Sequence, residues 1–137
     1  MDIIFATNNK FCPHAAEAIV SLLENNKEED IKIHLFTIDC ETQNIDRICK
    51  LVGEYKKEIL IHPITKNLFD DFPETGAYSL ACYLRILAPT LLPDVDKALY
   101  LDCDLIINGR INDLWNIDLR GGTQSLRFLT QRCRTIS

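Results

Sequence analysis

Short apolar runs alternate with segments of helical period along most of this chain, and that alternation limits its possible folds more than any other feature. IIFA (Ile3 to Ala6) is a continuous apolar run ending in the polar cluster TNNK, which reads as a buried strand entering a loop. Pro13 suits the first turn of a helix, and Ala15, Ala18, Ile19, Leu22 and Leu23 follow at helical spacing until Asn25 and Asn26 stop it. In IKIHLFTID, strict alternation puts Ile31, Ile33, Leu35 and Thr37 on one face of a second strand. A second amphipathic helix is expected from about Gln43 to Lys56, carrying Ile45, Ile48, Leu51 and Val52, and then ILIHPI as a third strand. Strand, helix, strand, helix, strand predicts an α/β fold with a mostly parallel sheet and helices on its faces.

After a loop around Phe69–Gly76, AYSLACYLRILA aligns Leu80, Tyr83, Leu84 and Leu87 on one helical face, with Pro89 and Pro93 expected to close the helix. ALYL (Ala98 to Leu101) reads as a fourth strand running directly into Asp102-Cys103-Asp104. A second Asp-x-Asp, Asp94-Val-Asp96, precedes that strand and so acts as an internal control. Ligands of open α/β sheets gather outside the carboxyl ends of the strands, which favours the later pair and leaves the earlier one as a solvated turn. In an extended segment, positions i and i+2 point the same way, so Asp102 and Asp104 can aim both carboxylates at one point. Two carboxylates without His or Cys ligands suit Mg²⁺ or Mn²⁺, which keep waters and bridge to phosphates, and this makes a diphosphate the expected partner. The plainer alternative is that the two acids only satisfy backbone N–H groups at the strand end.

Charge excludes one class of function. The net charge of −5 offers no basic stripe for a general nucleic-acid binder. It is unevenly spread: residues 1–119 carry 11 Lys and Arg against 20 Asp and Glu, whereas residues 120–137 carry four Arg and no acid. Six cysteines at wide, irregular spacing, with no C-x-x-C pair, predict reduced cytosolic thiols. No signal peptide is read at the N-terminus, and no apolar run reaches the roughly 18 residues of a membrane span, so the cytoplasm is the expected compartment. His14, His34 and His62 are expected at the surface or in loops. Trp115 is expected in the core, beside a short helix capped by Asn112 or Asp113.

FATNNKFCPHAAEAIVSLLENN, SLACYLRILAPTLLPDVDKALYLDCD and LIINGRINDLWNIDL together resemble the N-terminal half of retaining glycosyltransferases of family eight. That group contains glycogenin and bacterial lipopolysaccharide galactosyl- and glucosyltransferases. The likeness covers about residues 1 to 119, and the Tyr-x-Arg helix, apolar strand, Asp-x-Asp and D-L-W at this spacing make it specific. It implies a Rossmann-like, GT-A type nucleotide-diphospho-sugar transferase fold and a retaining hexosyltransferase using UDP-glucose or UDP-galactose, with a lipopolysaccharide or other glycan as acceptor. By position, Asp102 and Asp104 match the family's pair that holds Mn²⁺ (or Mg²⁺) on the donor diphosphate. Ala6, Thr7, Asn8 and Phe11 fall on the segment resembling the uridine-binding loop. Arg85 matches an arginine that reaches the nucleotide sugar, and Cys103 is expected to pack inward with only its backbone near the ribose.

The sequence departs from the family in two ways. Bacterial members often place Asp-Asp or Asn-Asp after the Ala-Thr, then Asn-Tyr, where this chain has Asn8, Asn9, Lys10 and Phe11. Family members also run on into a second half with a metal-binding histidine, so a truncated domain is expected, with residues 120–137 as an atypical basic tail of the kind a shifted reading frame produces. A genuine basic arm touching anionic membrane lipids at the inner face is the alternative for that tail. Two other functions compete: an inert fragment with at most donor or metal binding, and a haloacid-dehalogenase-type phosphohydrolase. The latter wants a hydroxyl where Ile106 stands, and Lys and acids well downstream, yet 33 residues follow Asp104.

Overall fold

The computed structural model describes residues 1–69 and 80–117; the side chains of residues 80–82 and the expected basic tail lie outside the described part. Four strands, β1 (Asp2–Asn8), β2 (Lys32–Ile38), β3 (Glu58–Ile64) and β4 (Ala98–Tyr100), form one all-parallel sheet in the order β3-β2-β1-β4. Helices α1 (Cys12–Asn25), α2 (Thr42–Glu54), α3 (Leu80–Leu91) and the short α4 (Asn112–Trp115), with 3₁₀ turns at Asn9–Phe11 and Lys66–Phe69, complete the described chain.

The period of two along each strand divides the core into two layers. Ile3, Phe5, Ile33, Leu35, Leu99 and Leu101 pack with Ala15, Ala18, Ile19, Leu22 and Leu23 of α1 and Ile48 and Val52 of α2. Residues of the other parity, Ile4, Ala6, Phe36, Ile38, Ala98 and Tyr100, pack with Leu84 and Ala88 of α3. β2 is therefore buried on both faces, whereas the alternation had marked only the odd-numbered face as apolar. Lys32 and His34 fill two of the even positions and are the reason that the pattern looks amphipathic. β3 lies at the sheet edge and its residues are half-buried or exposed.

Two boundaries differ from expectation. α3 continues through Pro89 to Leu91. A proline so near the helix end removes one backbone bond while the next turn still closes, with Leu92 N donating to Ala88 O at 2.9 Å. At α4 the cap position is Ile111 rather than Asn112 or Asp113. Its N–H donates to the buried Asn26 Oδ1 at 2.9 Å, while Asn26 Nδ2 donates to Leu22 O at 2.9 Å and Gly109 O at 3.2 Å. Asn26, expected only to stop a helix, thus bonds the end of α1 to the segment leading into α4. Trp115, expected in the core, is half-buried against the first layer, with Lys97 Nζ 4.9 Å from its ring centroid.

His34 corrects the surface assignment of the histidines. It is 3% exposed, with Nε2 2.8 Å from Asp2 Oδ1 and Nδ1 3.2 Å from His62 Nε2. Parallel register places Asp2, His34 and His62 on one face, and the ring of Phe36 lies 5.0 Å from that of His62. Desolvation, helped by the neighbouring His34, holds the His62 pKa below its ordinary 6.5. The unfolded chain therefore takes up that proton first, so stability carried by neutral His62 is full above the unfolded pKa and falls as the pH drops below it. Urea midpoints should decrease between about pH 7.5 and about pH 5.5, and less steeply in His62→Gln. An equal slope in the variant would remove His62 from the account.

Candidate functional site

The strand order reverses at β1: the chain first moves outward to β2 and β3, then returns to add β4 on the other side of β1. Crevices outside the carboxyl ends of strands at such a reversal are where open α/β sheets bind ligands. The two segments meeting there are the loop after Asn8 and the segment after Tyr100. Leu101 N donates to Ile4 O at 2.9 Å, continuing the ladder one residue past β4, and Cys103 Sγ donates to Ala6 O at 2.9 Å.

Burial alternates beyond β4. Cys103, Leu105 and Ile107 are buried, whereas Asp102 is half-buried and Asp104 exposed. Both aspartates are thus on the outward side of the alternation, although the backbone turns at Cys103–Asp104 rather than staying extended. Burial pushes the Cys103 thiol up to about 12, so this sulfur is a packed hydrogen-bond donor at neutral pH, in keeping with its expected inward packing. Asp94 and Asp96 lie exposed in the turn before β4, as the control pair was expected to do.

Arg85 leaves the middle of α3 and reaches the first aspartate, with Nη2 donating to Asp102 Oδ1 at 3.1 Å. Its guanidinium lies 5.4 Å from the centroid of the Tyr100 ring, and its buried Nε has no hydrogen-bond partner among the described residues. A cation beside adjacent carboxylates reduces their mutual repulsion and fixes the rotamer of the one that it touches. Among the described residues no group of three or more His, Cys, Asp or Glu side chains could enclose a metal. Two carboxylates with hard oxygen donors still fit a cation of the Mg²⁺ or Mn²⁺ kind, which draws its other ligands from water and phosphate. They do not make a closed zinc site.

The loop after β1 is built by asparagines. Asn8 Oδ1 accepts from Phe11 N at 3.1 Å and caps the 3₁₀ turn Asn9–Phe11. Ala6 and Thr7 are buried, and Thr7 Oγ1 donates to Asn8 O at 3.0 Å. Asn8 is half-buried and Phe11 is 40% exposed, leaving an open ring beside the crevice. Asn9, which sequence reasoning passed over, does the holding. Its Oδ1 accepts from Glu41 N at 2.9 Å and Asn44 Nδ2 at 2.9 Å, and its Nδ2 donates to Glu41 Oε1 at 3.0 Å. The only sequence signal for this clasp was the polar cluster itself.

A family description reading "Glycosyl transferase family 8" matches residues 2–132. The chain belongs to glycosyltransferase family 8. This family 8 chain is 30% identical over 120 residues to a Haemophilus influenzae protein, matching 87% of its own length and 36% of the relative's. It is 28% identical over 119 residues to the lipopolysaccharide 1,3-galactosyltransferase of Salmonella typhimurium, covering 86% of this chain and 35% of that one. Among solved structures it is similar to the galactosyltransferase LgtC, crystallised with donor and acceptor sugar analogues, with a TM-score of 0.78 and 24% identity over 87% of this chain and 43% of that one. That likeness shows a shared GT-A fold, as the sequence resemblance implied. The family 8 chain spans little more than a third of the lengths of the two curated relatives. Membership places it with glycosyltransferases and not with phosphohydrolases of the haloacid dehalogenase type.

Proposed function

We propose that this chain is the donor-binding part of a metal-dependent, retaining hexosyltransferase that takes a UDP-hexose, UDP-glucose or UDP-galactose, and glycosylates a lipopolysaccharide or similar glycan. The observation that carries this reading is the Asp102–Asp104 pair at the sheet's reversal point, with Arg85 bonded to Asp102. Asp102 and Asp104 would hold Mn²⁺ or Mg²⁺. When bound, the cation supplies a Lewis acid for the charge that builds on the departing nucleoside diphosphate. Arg85 holds Asp102 in place and brings positive charge toward the sugar phosphate. The Asn8 loop and the open Phe11 ring offer backbone polar groups and an apolar surface to the uridine, and the Asn9–Glu41 clasp fixes that loop before the donor arrives. Buried Cys103 shapes the floor, leaving its backbone to face the ribose.

The names of the lipopolysaccharide transferases among its relatives support the acceptor class. Cytoplasmic work, at the inner face of the membrane, agrees with the four free thiols described, which an oxidising compartment would pair. Among the described residues no helix is long and apolar enough to cross a membrane. No nucleophile is assigned to this chain. A second reading is a donor-binding piece without transfer activity.

Thermal melting with Mn²⁺ and UDP, against EDTA, tests donor binding. Saturation near a hundredfold over Kd adds about 2.7 kcal/mol, or roughly 10 °C for a domain of this size. A cooperative melt indifferent to both ligands would sink the reading, and binding without transfer from a UDP-hexose would select the second one.

A further inference from the structure

Two thiols meet at the base of the Asn8–Phe11 loop. Cys12 opens α1 and Cys40 follows β2 by two residues, and their sulfurs lie 3.7 Å apart. The register explains the approach: Asn8 and Ile38 are paired residues at the ends of parallel strands, so the segments leaving them run side by side. Cys12 Sγ donates to Asn8 O at 3.4 Å, and Cys40 Sγ lies 3.7 Å from Thr7 O and 3.6 Å from Ile38 O. The Asn9–Glu41 bonds hold the same two segments together from the other side. Among the described cysteines, Cys103 is committed to Ala6 O and Cys49 lies on α2, neither bonded to another sulfur.

We propose that Cys12 and Cys40 form a thiol–disulfide couple, closed by exchange with a low-molecular-weight disulfide of the glutathione class, which cross-links the Asn8–Phe11 loop to the β2–α2 connection. This holds whether or not the aspartate pair binds a metal. Cys40 is half-buried and Cys12 is 3% exposed, so Cys40 is the sulfur that the small disulfide reaches. Its thiolate attacks one sulfur of oxidised glutathione, breaking that S–S bond and releasing one glutathione thiolate, which takes a proton. The Cys12 thiolate then attacks Cys40 Sγ in the mixed disulfide, forming the internal S–S bond and releasing the second glutathione. Two protein thiols are oxidised by two electrons in all, and one glutathione disulfide is reduced to two thiols. Desolvation first, then the Cys12 thiol beside it, pushes the Cys40 pKa up to about 12. Exchange is therefore slow near neutrality and accelerates about tenfold per pH unit, because only the thiolate attacks.

The test is to equilibrate the full chain over a series of reduced-to-oxidised glutathione ratios at about pH 8, quench with acid, alkylate and map the peptides. The expected result is one joined pair, Cys12 with Cys40, in a molecule two hydrogens lighter, with a raised melting temperature that dithiothreitol reverses. Cys12→Ser should stop at a glutathione adduct on Cys40, and Cys40→Ser should leave Cys12 unmodified. A wild-type map in which Cys40 carries only glutathione, or remains free at the most oxidising ratio, or in which a different pair is joined, overturns the proposal. The wild-type map decides the matter even if a serine variant fails to fold.

Discussion

Asp102→Asn is expected to abolish the Mn²⁺-dependent rise in melting temperature with UDP and to weaken metal binding at least about 100-fold. Groups that merely orient a metal ligand typically cost 10–100-fold in affinity when removed, and Asp102 is assigned to the metal directly. Asparagine keeps the shape and an oxygen for the Arg85 N–H, so the ligand-free melt should stay near wild type while the response to ligand disappears. Asp104→Asn, at an exposed position, should reproduce the loss of response with still less effect on the fold. Asp94→Asn, in the exposed turn at the other end of β4, should do neither. Isothermal titration of Mn²⁺ with and without UDP would read the three variants side by side. If Asp102→Asn bound metal and UDP like the wild type, the aspartates would be strand-end acids and nothing more.

The largest expected effect on stability is that of Phe5→Ala. Phe5 is fully buried in β1, a strand with sheet partners on both sides, and belongs to the layer packed under α1 and α2. Truncating a buried phenylalanine costs about 3–5 kcal/mol, from lost transfer energy and the cavity left behind. Whole domains are stable by only about 5–15 kcal/mol, so much of the total is at stake. The melting temperature should fall by more than about 10 °C. Leu60→Ala, on the edge strand and 38% exposed, should cost less than about 1 kcal/mol. Urea denaturation of both would check the contrast, and a Phe5→Ala cost below about 1 kcal/mol would mean that the core layer does not depend on this strand.

Much of the fold was legible because burial imposes a period. The runs IIFA and ALYL have no polar position to hide, and α1 shows an uninterrupted apolar stripe, so both types of element could be read locally. His34 was misread for the opposite reason. A histidine in a strand looks like an outward position unless its partners are known, and they come from Asp2 and His62 on neighbouring strands. Pro89 was misread because a sequence marks where a helix loses a hydrogen bond, and the following turn decides whether it ends there. At the site, the run into Asp102 was visible in the chain, as was its position after a strand. The bond from Arg85 to Asp102 spans 17 residues and the clasp from Asn9 to Glu41 spans 32, and spacing alone does not encode such pairings.

The placement of β1 between β2 and β4 also carries a consequence for synthesis. In chain order β1 has one neighbour, β2, available early, whereas its other neighbour, β4, is made only after α3. Ala6 and Cys103, the pair that joins the two halves of the crevice, are 97 positions apart. Contacts of such long span are entropically expensive to close and slow to form. Until residues 98–100 emerge, one flank of β1 remains an unpaired edge at Asp2, Ile3 and Ile4, which is the kind of surface that chaperones and aggregation compete for. A nascent chain of this design carries the loop side of its crevice well before the acidic side, which waits for some ninety further residues.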